Sequence, residues 1–167
     1  FRYDLSVHTV KQLYAGEVEN LLTTESYAYF IDGAYRLCQI GIDGGRVVLV
    51  ADSLVPDYLQ ESEGTVYFAR NTANEGRYEI QKMAVGVPEE VVSVCEFDGQ
   101  PMDWLTTQVL FGDGAGVHLR DVTSGAETDV FLEGNGATLA AANGNGVFYT
   151  TTDADGYSEL WVLDLES

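Results

Sequence analysis

The amino-acid sequence predicts an all-β protein built from about four β-propeller blades, each a sheet of four antiparallel strands, and three observations lead to this prediction. Helical periodicity is absent, whereas short runs of β-branched and aromatic residues recur between Gly, Asp and Asn turns. One strand type returns with a nearly constant period. Each period has room for four strands joined as a meander, which is the construction of a blade.

The strand that sets the period ends in an aromatic residue. Its copies end at Phe30, Phe68, Phe111 and Tyr149. They are 38, 43 and 38 positions apart, which lies in the range of propeller blades. We expect Val66, Val109 and Val147 to occupy equivalent buried places, in strands that lie innermost in their blades.

Three further strand types follow within each period. The second alternates and covers residues 35–40, 78–83, 117–122 and 160–165, with 1–5 as an earlier copy. The third covers residues 46–50, 91–95 and 128–132, with 10–14 as its earliest copy. The fourth is weaker and is marked by Leu21, Leu59, Leu105 and Leu139. A single blade of this size cannot bury its own faces, so neighbouring blades are expected to stack.

This order of strands predicts the blade boundaries. Residues 27–63, 64–106 and 107–145 are predicted as full blades, and residues 1–25 and 146–167 as partial ones. Both partial blades contain a copy of the second strand, so they overlap rather than complement each other. Because of this overlap, we expect residues 1–167 to form a single segment of a larger ring. A four-bladed closed ring with one spare strand is the alternative.

Composition limits the classes of partner. The chain of 167 residues carries 27 acidic and eight basic residues, for a net charge of −19. Such a surface repels phosphate backbones, which argues against nucleic-acid binding. Hydrophobic residues make up 46% of the chain, too many for a disordered protein. No apolar run approaches the roughly 18 residues needed to cross a bilayer, so no membrane span is predicted.

Few residues are candidates for chemistry. Cys38 and Cys95 each lie in an apolar run and are expected to be buried thiols, although a disulfide between them stays open. His118 is expected to be a half-exposed sheet residue, and no nucleophile elbow accompanies it or His8. No catalytic or cofactor-binding residue is therefore assigned. The repeat-matched aromatic residues Trp104, Trp161 and Tyr58 are expected to pack in the core rather than to line a recognition surface.

The turn at residues 152–159 is the one candidate metal site. Asp153, Asp155 and Glu159 flank Gly156, and calcium takes several carboxylate oxygens around a tight turn. The loop resembles the hairpin calcium loops of integrin-type propellers. A plain Asp/Gly β-turn is the alternative, and it is favoured because no other blade repeats the pattern.

Two segments resemble known propeller repeats. Residues 158–165, which read SELWVLDL, resemble the repeat strand of TolB-type propellers. Residues 35–37 and 42–45 resemble the same element in bacterial surface propellers similar to those of the low-density-lipoprotein receptor. The resemblance implies a bacterial propeller, secreted or held at the cell envelope, that binds another molecule.

Two classes of function follow. The first is a non-catalytic binding or scaffold module whose partner is a protein, a peptide or a glycan, or further blades of the same protein or a second copy. The second is the propeller part of an enzyme that acts on glycans or peptides. Two converging carboxylates with raised pKa values would favour the enzyme, and an aromatic face without them would favour binding.

Overall fold

The computed structural model describes residues 1–98, 100–105, 108–112, 117–121, 126–130, 139–143, 146–152 and 155–164. Throughout these ranges the chain consists of strands, turns and connecting segments, without a helix. The strands are β1 (Arg2–Asp4), β2 (Thr9–Lys11), β3 (Val18–Thr23), β4 (Tyr27–Asp32), β5 (Leu37–Gly41), β6 (Val48–Ala51), β7 (Leu54–Ser62), β8 (Thr65–Asn71), β9 (Arg77–Ala84), β10 (Val92–Asp98), β11 (Gln100–Leu105), β12 (Gln108–Gly112), β13 (Val117–Asp121), β14 (Glu127–Val130), β15 (Leu139–Asn143), β16 (Gly146–Thr152) and β17 (Ser158–Asp164). The part of the chain so described contains no helix able to span a membrane.

Consecutive strands pair into antiparallel sheets. Strands β1 and β2 form the N-terminal hairpin, β3 to β6 the first sheet, β7 to β10 the second, β11 to β14 the third, and β15 to β17 the last sheet. By contacts, the chain divides into two compact units. Unit 1 consists of Phe1–Thr72 and Glu79–Ser93, and unit 2 of Ala73–Tyr78 and Val94–Ser167. Sheets of four antiparallel strands in chain order confirm the predicted all-β propeller architecture.

The sheets begin and end at other places than the predicted blades. The first sheet covers residues 18–51 and the second 54–98, so the boundaries at 27–63 and 64–106 are wrong in phase, as is that at 107–145. The weak strand predicted to end a blade is the first strand of the next one. A tight turn causes this pairing: the Tyr27 amide donates to Thr24 Oγ1 at 3.1 Å, which joins β3 to β4. The break between sheets falls at Ser53, whose φ of +60° redirects the backbone.

The shift in phase also changes which strand lies innermost. Strands β4, β8 and β12 have a hydrogen-bonded strand on each side, so they are not the innermost strands that the sequence predicted. Instead β3 and β7, the first strands of successive sheets, lie against each other. Asn20 on β3 donates from Nδ2 to the carbonyl oxygen of Pro56 on β7 at 2.6 Å. First strands that converge in this way are the inner strands of their blades.

Alternation along each strand creates two apolar faces. We call the face of a sheet that points to the next sheet its front face and the opposite one its back face. The interface of the first and second sheets contains Tyr29, Ile31 and Leu37 on the front face of the first, and Leu54, Val66, Phe68 and Met83 on the second. Each of these is at most 1% exposed. The predicted equivalence is confirmed, because Val66, Val109 and Val147 are all fully buried.

Candidate functional site

A groove of about 390 Å³ lies within unit 1 on the back face of the first sheet. Its lining consists of Phe1, Arg2, Leu13, Tyr14, Gly16, Val18, Leu21, Thr23, Ala28, Phe30, Ile40 and Ile42. Most of these side chains are apolar. The floor side chains Ala28, Phe30 and Ile40 are at most 5% exposed, so the apolar surface open to a partner lies at the rim, where Val18 and Leu21 are exposed.

Strands β4 and β5 form the floor of the groove. Their side chains Ala28, Phe30 and Ile40 belong to one cluster, and Leu13 and Tyr14 pack against it. The Tyr14 ring lies 4.5 Å from the Phe30 ring, between centroids. A Cβ atom at Gly16 would come within 2.6 Å of the Tyr14 ring, so a side chain at this position would require the Tyr14 ring to move.

The N-terminal hairpin is held beside the groove by polar contacts. The Arg2 guanidinium forms an ion pair with the Asp43 carboxylate and donates to the Ile42 carbonyl oxygen at 3.4 Å. Lys11 Nζ donates to the Asp43 carbonyl oxygen. The positive charge of Arg2 is thus balanced within the chain, and the groove favours an apolar rather than an anionic partner.

One rim of the groove is an edge strand with exposed apolar side chains. Strand β3 pairs only with β4 in the first sheet. Its residues Val18 and Leu21 line the groove and are 44% and 61% exposed. Edge strands present backbone groups to which another strand can pair. The groove and this edge form one continuous apolar surface in unit 1.

The most buried charged group in the described ranges is Asp32, at the turn from β4 to β5. Its Oδ1 accepts from the amides of Ala34 and Arg36, each at 3.0 Å. Its Oδ2 accepts from Arg36 Nε at 2.9 Å and Nη2 at 2.6 Å. The hydrogen bonds from the Arg36 side chain, above all, hold the pKa of Asp32 below its usual value. A carboxylate fixed in its charged form stabilises the turn and does not act as a general acid.

The predicted calcium loop is described only in part. Asp155 and Glu159 are exposed at the hairpin between β16 and β17, and Asp153 lies outside the described residues. In the described ranges no group of three His, Cys, Asp or Glu side chains could hold a metal ion. Calcium binding at this turn stays a prediction.

The histidines lie apart from the groove lining. His118 is half-buried on β13 and its ring stacks on Phe111 at 5.1 Å, which confirms the expected sheet position. The exposed His8 has a φ of +53° and its Nδ1 lies 2.8 Å from the Tyr3 hydroxyl.

The predicted core aromatic residues have different environments. Tyr58 is buried, as expected. Trp161 stacks on Tyr149 and donates from Nε1 to Thr151 Oγ1 at 3.0 Å, but 37% of it is exposed. The side chain of Trp104 lies outside the described part of the chain.

The two cysteines form no disulfide. Cys38 is buried on the back face of the first sheet, as expected, whereas Cys95 is half-buried. Burial raises the pKa of the Cys38 thiol.

The sequence did not indicate the groove. Gly16 beside Tyr14 is the one local signal that could have pointed to it, since a glycine next to an aromatic residue allows a close approach of backbone and ring. The groove itself depends on residues from three distant segments, 1–2, 13–23 and 28–42. Alternation within single strands does not reveal which of those segments meet.

No family model matches the chain, and no curated protein matches it in sequence. Solved structures do match. The computationally designed Ika4 protein is similar over 93% of this chain and 99% of its own, with 15% identity and a TM-score of 0.56. TolB from Acinetobacter baumannii is similar over 85% of this chain and 39% of its own, with 11% identity and a TM-score of 0.56.

A chain of the nidogen–laminin complex is similar over 84% of this chain and 56% of its own, with 14% identity and a TM-score of 0.53. The present chain thus spans nearly all of Ika4 but less than two thirds of the other two. Identities this low carry information about the fold alone. Sheet order and these similarities together identify the chain as a β-propeller segment.

Proposed function

We propose that the chain is a non-catalytic binding module, and that the groove on the back face of the first sheet receives a polypeptide segment from its partner. The observation that carries the proposal is the groove itself, about 390 Å³ in volume and lined mainly by apolar side chains. Ligand sites of proteins commonly have volumes of roughly 300–1,000 Å³ with such a lining. Exposed apolar surface of this kind marks interaction sites.

A polypeptide fits the groove better than a glycan does. Glycans are recognised by many convergent hydrogen-bonding groups, whereas the polar side chains here are few and Arg2 is already paired with Asp43. The edge strand β3 adds backbone groups along the rim. An extended segment can pair with such an edge and insert alternate apolar side chains into the groove.

Binding is favoured over catalysis by the state of the carboxylates. Among the described residues, Asp4 and Asp32 have pKa values below their usual ones, chiefly through side-chain hydrogen bonds from Ser6 and Arg36. A general acid of a hydrolase needs a raised value. The propeller part of an enzyme is the alternative. The enzyme alternative would be favoured if the chain turned over chromogenic glycosides or peptides and a single Asp→Asn or Glu→Gln substitution abolished that turnover.

We further propose that the protein is secreted or held at a bacterial envelope. This rests on the resemblance of residues 158–165 to TolB-type repeats. Fractionation of the source cells with immunodetection tests it, and recovery in the cytoplasm alone would contradict it.

The groove is tested with a displayed library of random peptides. We expect selection to yield peptides with alternating apolar residues that bind in fluorescence anisotropy. Leu21→Lys places a charge on the rim and should weaken binding by roughly tenfold or more. The matched control is Leu49→Lys on β6, because Leu49 lies outside the groove and is 58% exposed against 61% for Leu21.

Peptide binding that is insensitive to Leu21→Lys, or equally sensitive to Leu49→Lys, would contradict the assignment of the groove. A screen on a glycan array gives the other outcome. A glycan whose binding Leu21→Lys abolishes would replace the polypeptide as partner.

A further inference from the structure

Strand β3, at the rim of the groove, presents its accessible side chains at alternate positions. Leu21 and Thr23 both line the groove, and the register places them opposite the floor residues Phe30 and Ala28. Leu22 between them points to the other face, where it packs against the core between the first and second sheets. An extended segment has the same two-residue repeat, so its alternate side chains can meet those of β3.

The backbone of β3 is open at the end nearer its turn. The Leu21 amide donates to Asn20 Oδ1 at 2.7 Å, so this amide points away from β4. Residues with outward backbone groups alternate in an antiparallel pair, so the amide and carbonyl groups of Thr23 also point outward. At the other end, Asn20 Nδ2 donates to the Pro56 carbonyl oxygen of β7 at 2.6 Å. Among the described strands β3 pairs only with β4, so a short segment can pair at Thr23.

The residues around this rim are acidic. Glu17 precedes β3, Glu19 lies on it and Glu25 lies in the turn that follows it, and all three are exposed. We call these three groups the rim carboxylates. Residues 12–35 include no basic residue. Within the described ranges, none of the rim carboxylates belongs to an ion pair.

The rim carboxylates flank the apolar part of the rim at both ends. Strand β3 has six residues, so its ends are roughly 17 Å apart. A segment of about seven residues laid along β3 therefore brings its middle to Leu21 and its ends to carboxylates. Carboxylates of like sign without cations nearby repel one another and attract a cationic partner.

The basic side chains near the groove do not neutralise the rim. Arg2 and Lys11 lie toward β5, because both bond to Asp43 after that strand. Strand β4 separates β5 from β3 in the first sheet. The acidic character of the rim is therefore uncompensated by the described basic side chains of this sheet and its hairpin.

We propose that the polypeptide bound at the rim is a basic, extended segment. This rests on the proposed function and names the chemistry of the partner. Apolar side chains at alternate positions of the segment contact Val18 and Leu21, and its Lys or Arg side chains pair with the rim carboxylates. The net charge of −19 adds a long-range attraction that speeds the encounter with such a partner. An acidic segment would meet the same carboxylates unfavourably.

Three labelled peptides with blocked termini test the proposal in fluorescence anisotropy. The first has the sequence Lys-Lys-Leu-Thr-Val-Lys-Lys, and Gln or Glu replaces every Lys in the other two. At about 50 mM NaCl we expect the Lys peptide to bind roughly tenfold more tightly than the Gln peptide, and the Glu peptide not to bind. The preference should shrink severalfold at about 0.5 M NaCl, where the Debye length is about 4 Å.

Two triple variants of equal charge locate the attraction. Glu17→Gln, Glu19→Gln and Glu25→Gln together should weaken binding of the Lys peptide by roughly tenfold, because each exposed ion pair is worth about two- to threefold. The matched control replaces by Gln three exposed glutamates that do not line the groove, Glu75, Glu90 and Glu159. It changes the net charge equally and should weaken binding by less than about twofold. Far-UV circular dichroism checks that both variants stay folded.

Three results would overturn the inference. One is a Gln peptide that binds as tightly as the Lys peptide. Another is a control variant that weakens the Lys peptide as much as the rim variant does, because the attraction would then come from net charge alone. The third is self-association of the chain, seen by light scattering, that Leu21→Lys abolishes, because a second copy would then be the occupant.

Failure of this inference differs from failure of the proposed function. If the Gln peptide binds as well as the Lys peptide, and Leu21→Lys but not Leu49→Lys weakens its binding, the groove still binds a polypeptide. Only the basic character of the partner is then wrong. If none of these peptides and no library peptide binds, or if Leu21→Lys changes nothing, the proposed function fails as well.

Discussion

The turn between β4 and β5 allows a quantitative prediction for Asp32→Asn. The amide oxygen of asparagine can still accept from the backbone amides of Ala34 and Arg36, at the 3.0 Å distances now seen. The other end becomes an NH₂ group that faces the donors of Arg36, so two charge-assisted hydrogen bonds are lost. Such bonds contribute about 1.5–3 kcal/mol each. The Arg36 side chain is 48% exposed and regains water, which reduces the loss.

We therefore expect Asp32→Asn to lower the free energy of unfolding by about 1.5 kcal/mol at pH 7. With a urea dependence of about 2 kcal/mol/M, the unfolding midpoint falls by roughly 0.75 M. The assay is urea unfolding followed by far-UV circular dichroism. The matched control is Asp52→Asn. Asp52 is 68% exposed and meets Arg70 at 3.3 Å, so its loss should cost less than about 0.5 kcal/mol.

The pH dependence checks the cause. The pKa of Asp32 is lower in the folded chain than its usual value of 3.8, so the unfolded chain binds the proton more readily. The contribution of Asp32 is full above the usual value and is lost as the pH falls through it to the folded pKa. The difference between wild type and Asp32→Asn should therefore shrink below about pH 4. Equal midpoint shifts for Asp32→Asn and Asp52→Asn, or a difference that does not change with pH, would refute the reasoning.

Two further predictions concern buried groups of unit 1. Tyr29→Phe removes the hydroxyl that accepts from the Gly86 amide at 2.8 Å, so it should lower the free energy of unfolding by about 1 kcal/mol. Tyr35→Phe, at an exposed position, should leave that free energy unchanged, and equal urea midpoints for the two variants would contradict the prediction. Burial raises the pKa of the Cys38 thiol, so this thiol should react slowly in a Cys95→Ser variant. At pH 8 we expect its reaction with a disulfide reagent to be roughly tenfold slower, or more, in the folded chain than in the unfolded chain. Rapid labelling of the folded chain would disprove the burial of Cys38.

The groove and its apolar lining belong to a single unit, so peptide recognition depends on contacts within that unit.

The amino-acid sequence by itself determined the class of fold, the number of strands in a blade and the buried valines. Val66, Val109 and Val147 were found from spacing alone, because alternation and the period of the repeat are local properties of the chain. Each copy of the strand then occupies an equivalent place whatever the arrangement of the blades.

Only the tertiary structure decided where a blade begins and where a partner can bind. The repeat has the same spacing wherever a blade starts, so the phase depends on which turns pair strands. The Thr24–Tyr27 turn joins β3 to β4, and the backbone at Ser53 separates β6 from β7. The groove arises in the same way, because Tyr14 and Leu21 meet Phe30 only after the sheet has formed. Contacts between segments distant in sequence depend on that pairing, and local patterns do not encode it.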